Sequence, residues 1–242
     1  MATDSLTLSV PGFAELRINT RSGRVEVTAE ERSDLLIESD APIRKDKIEV
    51  DATGRVTLRS SRGGSGWLEI RCPIGTDVVI GTVSGKVRLA GRIGDARINT
   101  VSGGIEVERA ESLDARSISA SIEVGTCTGS CRLQTKSGRA TIGTAGDCHV
   151  STMSGQIRLD DATGEVRAHT ASGRVHVGTR GKGDVAVKTL SGAVKVELPP
   201  DVHPDTRLRS LSGRPRCDCD PGADCRVAVS SLSGRIEVVP SE

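Results

Sequence analysis

The sequence predicts an all-β fold, a single-stranded β-solenoid (β-helix) with about 17–21 residues per coil. Three observations carry this. A Thr/Ser-x-Ser-Gly motif recurs along the chain. On both sides of each copy, apolar and polar residues alternate, the period of a half-buried strand. Only two of 242 residues are aromatic, Phe13 and Trp67, while 28 are glycine.

The motif comes first, because internal repetition decides architecture before local propensity does. Its serine falls at Ser22, Ser84, Ser102, Ser119, Ser137, Ser154, Ser172, Ser191, Ser212 and Ser233. From Ser84 the spacings are 18, 17, 18, 17, 18, 19, 21 and 21 residues. Ala120 replaces the glycine after Ser119, and Thr53-Gly54 reads as a weaker copy. Apolar residues stand six and four before the serine and three and five after it, as in Val185, Val187, Val194 and Val196 around Ser191. The parity breaks across Ser-Gly, which places a tight corner there, where glycine permits a positive φ or a close approach. A two-strand unit cannot bury its own apolar side, so successive units must stack. A thin lumen of stacked identical positions is filled by Val, Ile, Leu, Ala and Thr. That accounts for the missing rings.

Two other solenoids have comparable coils. Hexapeptide-repeat acyltransferases need an apolar residue every six positions, and Asn99 breaks that rule. Polysaccharide-lyase β-helices build clefts on long insertions, of which this chain has few. Residues 1–80 are expected to hold irregular N-terminal coils and a cap, with longer antiparallel or irregular strands at Leu35-Leu36-Ile37, Ile48-Glu49-Val50, Val56-Thr57-Leu58 and Trp67-Leu68-Glu69-Ile70. Residues 81–242 are expected to hold regular coils, the whole forming one continuous domain. The last coil is expected to leave an open end, with Pro240 as its obvious edge blocker.

Charge balance narrows the function. Lys plus Arg is 33 and Asp plus Glu is 32, a net +1. Non-specific nucleic-acid affinity comes from an excess of cations, and single-strand readers stack bases on aromatic rings, so no nucleic acid is expected. Sugar clefts usually need aromatic platforms as well. No run approaches the 18 apolar residues of a membrane span, and Met1-Ala2-Thr3-Asp4-Ser5 lacks signal-peptide character. The expected location is cytoplasmic, with the seven cysteines as thiols.

Stacking turns each repeat position into a column. Two before the serine every copy has Thr or Ser, a hydroxyl ladder expected to satisfy backbone groups at the corner. Directly before the serine, with outward parity, run Val83, Val101, Ile118, Met153, Leu190, Leu211 and Leu232, with Arg21, Lys136 and Ala171 interrupting. An exposed apolar ridge of this kind marks an interaction surface; the alternative is a corner that turns these side chains under a neighbouring loop. Arg24, Lys86, Arg139, Arg174, Arg214 and Arg235 form a basic column near acids such as Glu26, Glu106 and Glu237, expected to be a solvated face.

Cys131 and Cys148 are expected to stack in adjacent coils as buried thiols. Cys217, Cys219 and Cys225 fit no standard zinc spacing, and Cys217 falls at a regular buried position. His149, His169 and His176 lie outward, with no nucleophile beside them. No catalytic, cofactor or metal residues are assigned, and no enzyme activity or cofactor is expected.

The copies Asn99-Thr100-Val101-Ser102-Gly103-Gly104-Ile105-Glu106-Val107 and Lys188-Thr189-Leu190-Ser191-Gly192-Ala193-Val194-Lys195-Val196 resemble the bacterial "putative adhesin" family of unknown function. The resemblance covers nearly the whole chain and implies a β-solenoid without an established enzymatic activity. The expected function is a non-catalytic scaffold or protein-interaction module, meeting a protein partner or a second copy through the ridge or the open solenoid ends. A bactofilin-like self-assembling protein and a carbohydrate-active β-helix enzyme are the alternatives.

Overall fold

The computed structural model describes residues 4–10, 13–60 and 66–241. The chain is all-β, with one short 3-10 turn at Lys45–Lys47. It divides into two compact units, Met1–Ala120 and Ser121–Glu242. The division follows Ala120, the residue that replaces a corner glycine.

The first unit holds β1 (Asp4–Leu8), β2 (Glu15–Thr20), β3 (Ser22–Glu30), β4 (Leu35–Ser39), β5 (Ile48–Val50), β6 (Arg55–Ser60), β7 (Trp67–Pro73), β8 (Asp77–Ser102) and β9 (Ile105–Ser119). The long strands run through several corners without a break. Pairing is parallel and in motif register: Ser22 lies beside Ser84, and Ser102 beside Ser119. Equal residues therefore stack. Leu16 and Ile18 lie between Val56, Leu58 and Val78, Ile80. All six are buried. Fully burying such a side chain contributes about 1.5–3 kcal/mol, and repetition in every coil lets a thin lumen hold together without rings.

Two features of this unit depart from the repeat. The coil of β2 and β3 lies between the coil of β6 and β7 on one side and β8 on the other. Stacking order therefore differs from chain order. Antiparallel pairs then broaden the outer layer: β1 with β4, β4 with β7, and β5 with β6. β4, β5, β6 and β7 contain the four segments expected to be strands in this region, and β1 joins them. Thr53-Gly54 is not a weak copy of the Ser-Gly corner. It forms a turn before β6, where the Gly54 N–H donates to Asp51 O at 3.2 Å. The motif register instead places Ser60 beside Thr20.

The second unit holds β10 (Ile122–Ala162), β11 (Val166–Ser172), β12 (Val175–Thr179), β13 (Val185–Ser191), β14 (Val194–Leu198), β15 (Pro204–Ser212), β16 (Arg216–Cys217), β17 (Cys225–Ser233) and β18 (Ile236–Pro240). Ser154, Ser172 and Ser191 stack in chain order. Ser191 then pairs with Ser233, and Ser233 with Ser212. The coil of β17 and β18 thus lies between its predecessors. The expectation that the last coil leaves the open end is corrected: β15 and β16 are outermost. Thr206, Leu208 and Ser210 keep only partial cover there. The 21-residue spacing from Ser191 to Ser212 fits this geometry, since that connection must reach past the layer of β17 and β18.

The corners depend on glycine. Gly103 has φ +124°, and a Cβ there would lie 2.2 Å from the Gly85 carbonyl oxygen. Neighbouring corners approach more closely than any side chain allows. Aspartates tie adjacent coils on the other side: Asp77, Asp147 and Asp184 each accept a backbone N–H, from Asp95, Glu165 and Arg226 respectively.

Candidate interaction surface

The residue before each serine points outward, as strand parity dictates. In the first unit Val83 is 50% exposed, Val101 44% and Ile118 45%. In the second unit Met153 is 59% exposed, Leu190 55%, Leu232 50% and Leu211 84%. The corner does not turn them under a loop. Serine register orders the second set as Met153, Ala171, Leu190, Leu232, Leu211. Leu211 is barest because it belongs to the outermost coil. Strands stack about 4.8 Å apart, so within each unit these side chains form a line of apolar contacts. Beside the first unit's line lies a shallow groove of about 650 Å³, with Asn19, Gly81 and Asn99 along it.

The corner itself is held from inside. The hydroxyls of Thr20, Thr100, Thr135, Thr170 and Thr189 donate to the carbonyl of the serine two residues on, at 3.1–3.2 Å. This is the expected ladder. It is incomplete: the buried hydroxyls of Thr82, Ser117, Thr152, Ser210 and Ser231 have no hydrogen-bond partner among the described residues. These oxygens face the lumen and no base stands beside them.

The basic column behaves as a solvated face. Lys86 pairs with Glu106 at 3.2 Å, Arg88 with Glu26 at 3.7 Å and with Glu106 at 3.9 Å, and Arg235 with Glu237 at 3.5 Å. Exposed pairs of this kind each contribute about 0–1 kcal/mol. Asp161 accepts the Arg180 guanidinium at 2.5 Å, and that hydrogen bond holds its carboxyl below the usual range. His149 and His169 lie with ring centroids 5.7 Å apart. Burial, then the Arg132 and Arg167 charges, push His149 down. Burial and its neighbour His149 do the same to His169.

All seven cysteines are free thiols. Cys131 and Cys148 are adjacent in the lumen, and Cys127, not singled out by the repeat, joins them. The Cys127 contact favours the Cys131 thiolate, yet the Cys148 contact and burial outweigh it and push Cys131 up. Cys217 is a correction: it is exposed, not buried, because its coil has no layer beyond it. Cys219 is half-buried, and burial, with the Cys217 charge, raises its thiol to about 11. Among the described residues no group of three or more His, Cys, Asp or Glu could hold a metal ion, and no helix is long and apolar enough to cross a membrane.

Three solved structures are similar to this chain. One from Bacteroides fragilis NCTC 9343, called a putative adhesin, shares 14% identity over 98% of this chain and 97% of that one, with a TM-score of 0.41. A putative lipid binding protein from Parabacteroides distasonis ATCC 8503 shares 11% identity over 97% and 96%, with a TM-score of 0.42. A putative cell adhesion protein from Clostridium sporogenes ATCC 15579 shares 10% identity over 99% of both chains, with a TM-score of 0.25. Among curated proteins, none matches the chain. The profile of one family matches residues 3–219, nearly the full length and both units, and the chain belongs to that family, Toastrack DUF4097.

Proposed function

We propose that this protein is a non-catalytic interaction module that engages a protein partner through its apolar ridge. The observation that carries this is the exposure of seven aliphatic or thioether side chains, 44–84%, at one repeat position. A solvated sheet face ordinarily places polar residues there, and contiguous exposed apolar surface marks contact sites. The charged side chains beside it pair largely with one another, which supports a binding face over a catalytic one. The free thiols support a reducing compartment, in keeping with a cytoplasmic protein.

Self-association is the second reading, favoured by β15. Its outer edge carries half-exposed Leu208 and the nearly bare Leu211. One experiment separates the two. Val101→Asp and Leu190→Asp, one in each unit, are compared with the parent chain by light scattering across concentration and by affinity capture from a bacterial lysate. The ridge reading expects loss of a captured protein with thermal stability retained. A concentration-dependent oligomer lost in the same variants would assign the ridge to a second copy. Unchanged oligomeric state and unchanged capture would remove the ridge from the function.

A further inference from the structure

A different part of the first unit forms a pocket. In a regular coil three residues pass from the ladder threonine to the basic column, as from Thr20 to Arg24. In the outer layer Thr20 is matched by Ser60 and Arg24 by Trp67. Six residues intervene between Ser60 and Trp67, three more than the regular spacing. A cavity of about 290 Å³ lies beside Trp67 in this layer. Buried Ile37 and Leu58 line it, together with half-buried Ile43 and Trp67.

The polar lining is unequal in sign. Arg24, Arg44, Lys47 and Arg59 line the pocket, against one carboxylate, Asp40. The acids that pair three of these cations, Glu26, Asp46 and Glu49, stand outside the lining. Asp40 is already engaged, accepting the Trp67 backbone N–H at 3.1 Å. Arg44 pairs with Asp46 at 3.2 Å and Arg59 with Glu49 at 3.3 Å, exposed pairs that solvent exchanges readily, and Arg24 reaches half-buried Glu26 at 4.0 Å. Lys47 has no ion-pair partner among the described residues. An apolar interior whose lining carries cations, with their acids outside it, is complementary to a molecule with an apolar tail and an anionic head.

The volume sets the size. It is about twice the ~150 Å³ cavity that takes benzene, and it falls at the low end of the ~300–1,000 Å³ typical of ligand pockets. We propose that this pocket binds a single-chain anionic amphiphile of roughly ten carbons, tail against Ile37, Leu58 and Trp67, head among Arg44, Lys47 and Arg59. Thr20 and Arg59 also line the groove beside the first unit's ridge, so the pocket adjoins that part of the ridge and lies in a different unit from Leu190.

Trp67 makes the test direct, since it is the chain's sole tryptophan and there is no tyrosine. The full chain is titrated with monomeric decanoate, decanol, decyltrimethylammonium and inorganic phosphate, followed by Trp67 emission and by calorimetry. The expected result is one saturable decanoate site, decanol and the cationic amphiphile each weaker by about tenfold or more, and phosphate silent. Such a tenfold difference corresponds to about 1.4 kcal/mol. Lys47→Glu with Arg59→Glu, both exposed, weakens decanoate by about tenfold or more; Ala41→Phe fills the cavity and abolishes binding without altering charge. Circular dichroism melts confirm that each variant folds. Leu190→Asp leaves decanoate binding unchanged, so failure of the ridge and failure of the pocket are told apart. Equal binding of the cationic and anionic amphiphiles, indifference to the charge reversals, or no saturable change would overturn the proposal. So would binding to vesicles of anionic phospholipid without binding to decanoate, which would point to a membrane surface instead.

Discussion

Gly103 and Gly104 are consecutive, yet the fold asks different things of them. An alanine at 103 would keep φ near +124° and set its Cβ 2.2 Å from the Gly85 oxygen and 2.8 Å from its carbon. Those atoms are backbone, locked in the stack of corners, and cannot rotate away. A strained φ costs about 1–3 kcal/mol, and inserting a methyl where none fits costs about 1–3 kcal/mol more. Gly103→Ala should therefore destabilise by about 2–6 kcal/mol. At Gly104 the nearest atom to an added Cβ is Lys86 Cγ at 3.9 Å, an ordinary contact. Gly104→Ala should be neutral or stabilising by about 0.4–1 kcal/mol, through the unfolded chain. Equilibrium urea unfolding followed by Trp67 emission, which reports on the same unit, measures both. Equal effects at the two positions, or a loss below about 1 kcal/mol at 103, would refute the account of the corner as a glycine-only contact.

Two further outcomes follow from the lumen. Thr100→Val removes a hydroxyl that donates to Ser102 O at 3.1 Å and should cost about 1 kcal/mol, whereas Thr82→Val removes a buried hydroxyl without a partner and should be neutral or stabilising in the same urea titration. Burial raises the Cys72 thiol from an ordinary 9.0 to about 11. The folded state therefore keeps a proton that the unfolded chain releases, so stability is full below pH 9 and declines as pH rises toward 11. The whole contribution is about 2–3 kcal/mol, and Cys72→Val should flatten that part of the pH profile.

The architecture is legible because the solenoid writes its period into the sequence. Val185, Val187, Val194 and Val196 fall in the lumen for the reason their spacing suggests, and Leu190 faces out by the same parity. What the period cannot encode is which coil stacks on which. Val227 has Val185 on one side and Thr206 on the other, and any flank of the repeat offers its neighbour the same register. Connection length carries part of that information, in the 21-residue spacing from Ser191 to Ser212. The period alone puts Cys217 inside, whereas its coil is the outer layer. Thr53-Gly54 imitates a corner because a turn and a corner use the same two residues. The pocket is hidden for a related reason: only the pairing of Ser60 with Thr20 and of Trp67 with Arg24 shows that six residues stand where a regular coil has three.

The inserted layer has a consequence for how the chain reaches its fold. β11 meets β13 across 19 residues, Val166 to Val185, whereas β13 meets β17 across 42, Val185 to Val227. Closing the longer loop costs about 0.7 kcal/mol more in chain entropy, a small sum beside its effect on sequence of events. Within the second unit a nascent chain can lay down coils in order through Ser191, but β15 and β16 find their seat only once residues 225–240 have been made. Until then β13 and β14 wait with bare edges, the state in which strands recruit the wrong neighbour. The second unit is thus closed from within, its outermost coil held in place by residues synthesised after it.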